Sequence, residues 1–305
     1  MGGRKKASKG RPSRTQPAPA PLPPPTAKGR AARTPPAPPP PPPPSSGAAR
    51  AAALLAHYPE DERRFLETIA YALPAAASGR AAREAAAAHA RRCLERFQCC
   101  VFHDALSEGD VAALLGECAA HEKVSAIGER EAAKRSGTRL FNCPCQRGPS
   151  CAFDGWRSDV ARAVVAAAAP WRDVVAALGF GHVARVEVVT SHAGCRHQGW
   201  HVDGARGVTA LFALVDVDAR RGPTELDFAA PFGDVATGAK VKGGVPGAPA
   251  RVFAGALPRG SLLLFNANVS HRGTANLSRG DRPVLVLDCS PPCGASDAGF
   301  LCEGA

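Results

Sequence analysis

The segment Gln198-Gly-Trp-His-Val-Asp-Gly204 places His201 and Asp203 two residues apart. In an extended chain, residues i and i+2 point to the same face, so the imidazole and the carboxylate can reach a common point. A third candidate ligand, His271, lies 68 residues beyond Asp203, after the apolar run Leu262–Phe265. Together the three side chains can hold one metal ion. Two histidines and one carboxylate leave coordination positions open, as in non-haem Fe(II) oxygenases.

The sequence around this segment has the pattern of β-strands. Beyond Gly179, apolar and β-branched runs alternate with Gly, Pro and Asp, which predicts an antiparallel sandwich or barrel. The predicted strands cover residues 183–189, 208–216, 250–253, 261–265 and 284–287. The glycine-rich residues 233–247 predict a long loop that can cover a pocket.

The N-terminal half of the chain is mostly helical in pattern. Residues 51–92 predict short amphipathic helices interrupted at Pro59 and Pro74. Ser107 and Asp110 form a capping-box variant at the start of another helix. The remaining expectations are a strand over 97–102, an apolar helix face over 111–118, loops over 119–155 with a strand near 139–141, and helices over 158–169 and 171–178 on either side of Pro170. We therefore expect an α+β fold whose mainly β core is buttressed by N-terminal helices.

The positive charge of the chain belongs to its N-terminal tail. Residues 1–50 hold ten Lys or Arg and no acid, so they account for all but +1 of the net charge of +11. They also hold 16 of the 29 prolines and few large apolar residues, which predicts a disordered tail with polyproline II character. Such a tail could be a solvated linker, a nuclear address, a weak contact for nucleic acid, or a binding element for acidic or polyproline-recognising partners. The nearly neutral remainder makes nucleic acid an unfavourable partner for the folded domain.

The sequence contains no apolar signal region and no run of 18 apolar residues, which argues against secretion and against a membrane span. We expect an intracellular protein, cytoplasmic or nuclear, with organelle import left open. The eleven cysteines are then expected to be reduced thiols. Cys143, Cys145 and Cys151 form the one tight cluster, and either zinc binding or ordinary loop thiols would explain it.

Several motifs in order resemble the phytanoyl-CoA dioxygenase family of Fe(II)/2-oxoglutarate oxygenases. They are the strand and helix start over residues 97–118, Gln198-x-x-His201-x-Asp203-Gly204, Gly222-Pro-Thr-Glu225, Gly260-Ser-Leu-Leu-Leu-Phe265, His271-Arg-Gly-Thr-Ala-Asn276 and Arg282. The similarity spans about residues 95–290. It implies a double-stranded β-helix core, also called a jelly roll or cupin-like fold. The family's Pro-Gly-Ser-His turn is absent after Glu225, where this chain has Leu226 to Gly233.

The resemblance implies a role for each matching residue. His201, Asp203 and His271 would bind Fe(II) as the catalytic centre. Arg282 would anchor the distal carboxylate of 2-oxoglutarate, because a guanidinium can grip a carboxylate with two hydrogen bonds. Arg272 and Arg279 are competing candidates for that anchor, and Gln198 and Thr224 match positions that bind the co-substrate. Trp200, next to His201, is expected to point to the opposite face and into the core.

The leading hypothesis is a 2-oxoglutarate-dependent dioxygenase that uses O2 to hydroxylate an unactivated C–H bond of a small-molecule substrate, a lipid or a metabolite. Ascorbate is a candidate reductant. Asp203 is a carboxylate where a halogenase would have a small residue, so hydroxylation is favoured over halogenation. The alternatives are a protein or nucleic-acid hydroxylase and a non-catalytic double-stranded β-helix module recruited through its tail. The expected divisions are a tail over 1–50, a helical extension over 51–92, the oxygenase domain over 93–296 and a C-terminal tail over 297–305.

Overall fold

The computed structural model describes residues 46–73, 79–126, 138–140, 150–167, 169–204, 206–235, 239–241, 245, 248–254 and 257–291. Nearly all of the basic Pro-rich tail, Cys143 and Cys145, and the C-terminal tail lie outside the described residues, so the predictions for them stay predictions. Within the described ranges, no helix is long and apolar enough to cross a membrane.

Six α-helices and thirteen strands are described. The helices are α1 (Gly47–Leu55), α2 (Glu60–Ile69), α3 (Arg80–Phe97), α4 (Glu108–Ala126), α5 (Asp159–Ala166) and α6 (Pro170–Ala177), with a 3-10 turn over Gly155–Arg157. The strands are β1 (Ala70–Ala72), β2 (Cys99–His103), β3 (Thr138–Leu140), β4 (Ser150–Asp154), β5 (His182–Ser191), β6 (Val208–Ala213), β7 (Thr224–Asp227), β8 (Phe232–Gly233), β9 (Lys240–Val241), β10 (Arg251–Ala254), β11 (Leu262–Asn266), β12 (Ser270–Gly273) and β13 (Arg282–Ser290).

The strands form one large and one small sheet, besides the short β8–β9 pair. The large sheet has the order β1-β2-β11-β6-β13-β5-β4-β3, and the small sheet has the order β10-β7-β12. His201 extends the small sheet through an antiparallel bridge to His271 in β12. From β5 onward the chain passes repeatedly between the two sheets: β5, β6, β11 and β13 lie in the large sheet, and His201, β7, β10 and β12 lie in the small one. This alternation is a double-stranded β-helix, so the predicted fold is confirmed.

Helix α6 packs on the outer face of the large sheet. Trp171 in α6 is fully buried, and its ring meets Phe212 of β6 edge to face at a centroid distance of 5.0 Å. Because side chains alternate along a strand, Thr209 and Leu211 of β6 point to the opposite face, where they line a cavity. Helix α6 therefore leaves the inner face of the large sheet free to build a site.

Three local predictions differ from the structure. The residues predicted as loops over 119–155 contain the end of α4 and strand β4. Phe97 ends α3 and does not begin a strand, because Gln98 adopts a left-handed conformation with φ 60° and terminates the helix. Five short strands, β1, β7, β8, β9 and β12, were missing from the prediction. The polar sequences of β7 and β12 carry no strand pattern, and their pairing to each other creates the strands. The capping box is present, with Asp110 N donating to Ser107 Oγ at 3.1 Å.

Candidate metal centre

His201, Asp203 and His271 converge on one point at the inner face of the small sheet. Their ligand atoms all lie within 4.8 Å of one another. His271 Nε2 lies 3.2 Å from Asp203 Oδ2, and His201 Nε2 lies 3.9 Å from Asp203 Oδ1. Backbone hydrogen bonds fix the register, because His201 and His271 exchange N–H···O bonds of 3.0 and 2.9 Å. No other cluster of three such side chains occurs in the part of the chain that the structure describes.

Each imidazole is oriented by a backbone carbonyl. His201 Nδ1 lies 2.8 Å from Gly199 O, and His271 Nδ1 lies 3.0 Å from Val269 O. With each Nδ1 held by a carbonyl, Nε2 of each ring faces Asp203 and can give up its proton to a metal, which is how metal-binding histidines are usually held. Burial lowers the pKa of His201, and the neighbouring His271 acts in the same direction. Both effects favour the neutral imidazole that a metal requires.

Asp203 is held as a carboxylate. Burial alone would raise the pKa of its carboxyl group, but hydrogen bonds from His271 and Thr209 and the charge of Arg185 outweigh that effect and hold the pKa below its ordinary range. Thr209 Oγ1 donates to Asp203 Oδ2 at 2.8 Å. Two imidazoles and one ionised carboxylate form a donor set that suits Fe(II) and leaves coordination positions open. The residues present therefore fit the expected metal.

Arg282, at the start of β13, is buried without a carboxylate. Its side chain donates to Ser191 Oγ at 3.0 Å and to the carbonyl of Gly222, while its Nε has no hydrogen-bond partner. Among the residues described, no Asp or Glu forms an ion pair with it. Burial lowers the pKa of this guanidinium to about 10. A buried cation with an unused donor has the chemistry to bind an anion.

One cavity of about 180 Å³ between the two sheets contains all six predicted site residues. Gln198 and Thr224 line it with the three metal-ligand candidates and Arg282. Gln198 Oε1 accepts a hydrogen bond of 2.6 Å from Gly273 N, and the Thr224 side chain is buried. The structure thus brings together every residue that the sequence singled out for the site.

Neither competing arginine lines this cavity. Arg272 Nε lies 2.7 Å from Glu225 Oε2, and its guanidinium lies 4.5 Å from the centre of the Trp200 ring. Trp200 is 36% exposed, with Arg251 also near its ring. The prediction that Trp200 enters the core is wrong: because His201 points inward, Trp200 points to the outer face of the small sheet, where it stays accessible to solvent.

Four polar residues at the Asp203 end of the cavity were not predicted from the sequence. Arg185, Glu187 and Thr209 line it, and Asp288 contacts Arg185. The alternation of side chains along β5 could have predicted that Arg185 and Glu187 share a face with residues 189 and 191. The proximity of Arg185 and Thr209 to Asp203 could not be predicted, because it depends on the pairing of β5, β13 and β6, which are distant in sequence.

No protein-family model and no curated protein matches the sequence. Solved structures are similar to it. The non-haem α-ketoglutarate-dependent epimerase SnoN from nogalamycin biosynthesis has 19% identity and a TM-score of 0.49, over 74% of this chain and 96% of SnoN. The carbocyclase SnoK from the same biosynthesis has 16% identity and a TM-score of 0.46, over 68% and 87%. HygX from Streptomyces hygroscopicus, with nickel, 2-oxoglutarate and hygromycin B bound, has 13% identity and a TM-score of 0.45, over 69% and 93%.

Proposed function

We propose that this protein is an Fe(II)- and 2-oxoglutarate-dependent oxygenase of the phytanoyl-CoA dioxygenase type. The observation that carries the proposal is the presence, in one cavity, of the His201–Asp203–His271 cluster and the buried, carboxylate-free Arg282. A metal site alone would suit many functions. A metal site facing a buried cation suits a co-substrate that chelates the metal at one end and carries a carboxylate at the other, as 2-oxoglutarate does.

In this proposal His201, Asp203 and His271 hold Fe(II). The iron supplies activation of O2, coupled to conversion of 2-oxoglutarate into succinate and CO2, so that one oxygen atom enters the substrate and one enters succinate. The carbonyl groups of Gly199 and Val269 keep the two imidazoles turned toward the metal position. Asp203 occupies a third ligand position with its carboxylate, which favours hydroxylation over halogenation.

Arg282 binds the distal carboxylate of 2-oxoglutarate. Its Nε is free of other partners, and the bound carboxylate would offset the cost of burying the guanidinium charge. Gln198 and Thr224 supply further polar contacts beside it. The wall of the cavity that the large sheet forms carries the apolar side chains of Val189, Leu211, Phe265, Val284 and Val286, which limits the access of water to the reacting groups.

The substrate is a small molecule with an unactivated C–H bond, a lipid or a metabolite. We assign the oxygenase domain to residues 93–296 and the helical extension to residues 51–92, with the boundary inside α3 and with β1 of the extension paired to β2 of the large sheet. Strand β2 pairs with β11 at the edge of the β-helix, which supports a domain that begins ahead of β2.

Succinate formation tests the proposal without knowledge of the substrate. Purified protein with Fe(II), ascorbate and 2-oxoglutarate is expected to release succinate slowly, and His201→Ala is expected to stop it. His57→Ala is a matched control, because His57 is exposed and does not line the cavity. The absence of succinate from wild-type protein that has bound Fe(II), or equal succinate from the wild type and His201→Ala, would contradict the proposed function.

A further inference from the structure

Three side chains form a row across the inner face of the large sheet. Strand β13 pairs Asp288 with Arg185 of β5 on one side and with Thr209 of β6 on the other. Both ends of the row reach the same carboxylate. Thr209 Oγ1 donates to Asp203 Oδ2 at 2.8 Å, and Arg185 Nη2 lies 3.5 Å from Asp203 Oδ1. Each oxygen of Asp203 therefore has its own donor from the opposite sheet.

Asp288, in the middle of the row, holds the arginine in place. Arg185 donates to both oxygens of Asp288, through Nε at 2.7 Å and Nη2 at 3.1 Å. Its third nitrogen, Nη1, lies 3.6 Å from Glu187 Oε2. The strand pairing skips Ala184 immediately beside this contact, which is a β-bulge of the kind that redirects neighbouring side chains. The guanidinium is thus fixed on three sides by carboxylates and has a defined position beside Asp203.

We propose that the row Arg185–Asp288–Thr209 positions the Asp203 carboxylate for metal binding. The inference rests on the proposed function, because it assumes that Asp203 is a metal ligand. An aspartate side chain has two rotatable bonds, and a single hydrogen bond leaves its carboxylate free to turn about the bonded oxygen. Donors on both oxygens fix the plane of the carboxylate. Outer partners of this kind commonly contribute about 10- to 100-fold to metal affinity.

The geometry requires an arginine at position 185. One planar guanidinium makes the two-point contact with Asp288 and still presents Nη2 to Asp203, whereas a lysine ammonium is a single point at the end of a flexible stem. Arg185→Lys therefore preserves the positive charge beside the metal site and removes the fixed geometry. Thr209→Val removes the other donor at almost constant volume, and Thr209→Ser restores the hydroxyl group.

Titration with Co(II) tests the positioning role, because the d–d absorption of Co(II) reports its coordination geometry as well as its affinity. Arg185→Lys and Thr209→Val are each expected to weaken Co(II) binding by about 10- to 100-fold and to change the absorption spectrum. Thr209→Ser is expected to retain both the wild-type affinity and the wild-type spectrum. Arg162→Lys, on the exposed side of α5, is the matched control, and circular dichroism melting curves verify that every variant is folded.

The outcomes separate this inference from the proposed function. If wild-type protein binds Co(II), and folded Arg185→Lys and Thr209→Val bind it with unchanged affinity and spectrum, the positioning role is overturned and the metal site stands. If wild-type protein binds no Co(II), the proposed metal site fails and the positioning role fails with it. Weakened binding in Thr209→Val together with recovery in Thr209→Ser would support a hydroxyl-dependent contact over a general effect on packing.

Discussion

Replacing Arg282 with methionine would separate two effects of this buried cation: its effect on the free energy of unfolding and its proposed contribution to the binding of 2-oxoglutarate. Methionine fills a similar space and carries no charge. The fall of the Arg282 pKa from its ordinary value to about 10 corresponds to about 3 kcal/mol of lost stability at neutral pH, where both the folded and the unfolded protein carry the proton. Arg282→Met removes that cost.

The same substitution removes the hydrogen bonds from Arg282 to Ser191 and to Gly222. Hydrogen bonds from a charged donor contribute roughly 1.5 kcal/mol each at the lower end of their range, so their loss costs about 3 kcal/mol. The gain and the loss nearly cancel. We therefore expect the free energy of unfolding of the ligand-free variant to stay within about 1 kcal/mol of the wild type. If Arg282 were one partner of a buried ion pair, its loss would instead cost about 3 to 5 kcal/mol.

Binding of 2-oxoglutarate should then distinguish the two proteins. With Ni(II) present and 2-oxoglutarate at 100 times its Kd, the wild type should gain about 2.7 kcal/mol in urea denaturation, and Arg282→Met should gain almost nothing at the same concentration. Arg279→Met is the control, because Arg279 does not line the cavity. A full gain in Arg282→Met, or a loss above about 3 kcal/mol without ligand, would refute the assignment of Arg282 as an anion site.

Three further predictions follow from individual contacts. A Cβ atom at Gly273 would lie 2.8 Å from both Arg282 Nη2 and Gln198 Oε1, so Gly273→Ala is expected to weaken 2-oxoglutarate binding in calorimetry while Co(II) affinity stays unchanged; loss of metal binding would contradict it. Burial lowers the pKa of His103 from 6.5, so the unfolded chain takes up the proton first and the free energy of unfolding should fall as the pH drops below about 6.5. Urea denaturation at pH 7.5 and 5.5 should show a smaller fall for His103→Gln, and an equal fall would exclude His103 as a contributor. Ser107→Ala removes the cap of α4 and should lower the unfolding free energy by about 1 kcal/mol without affecting succinate release.

The pairing of His201 with Asp203 can be predicted because it is a local signal: the two residues lie two positions apart in extended chain. His271, after the run Leu262–Phe265, and Arg282, before the run Val284–Leu287, are assigned through the order of motifs in the family resemblance. The outer partners of Asp203 could not be predicted in this way. Thr209 and Arg185 reach it only because β13, about 80 to 100 residues further along the chain, lies between β6 and β5 and sets their register.

The small sheet shows a second limit of sequence patterns. Its strands β7 and β12, Thr-Glu-Leu-Asp and Ser-His-Arg-Gly, lack the apolar alternation of an ordinary strand. Their conformation comes from pairing across the β-helix, and that pairing is a tertiary effect. The error for Trp200 has a related cause: alternation predicts which face a side chain takes, but it does not show whether another layer covers that face.

The position of β13 in the large sheet affects how the chain can fold during its synthesis. It is the last strand in the described sequence, yet it lies between β5 and β6 in the middle of the large sheet. During synthesis these two earlier strands leave the ribosome without the neighbour that joins them, and each exposes an unpaired edge until residues 282–290 emerge. A nascent chain that stalls before residue 282 lacks both the joining strand and Arg282, so completion of the fold and completion of the anion site would occur in the same step.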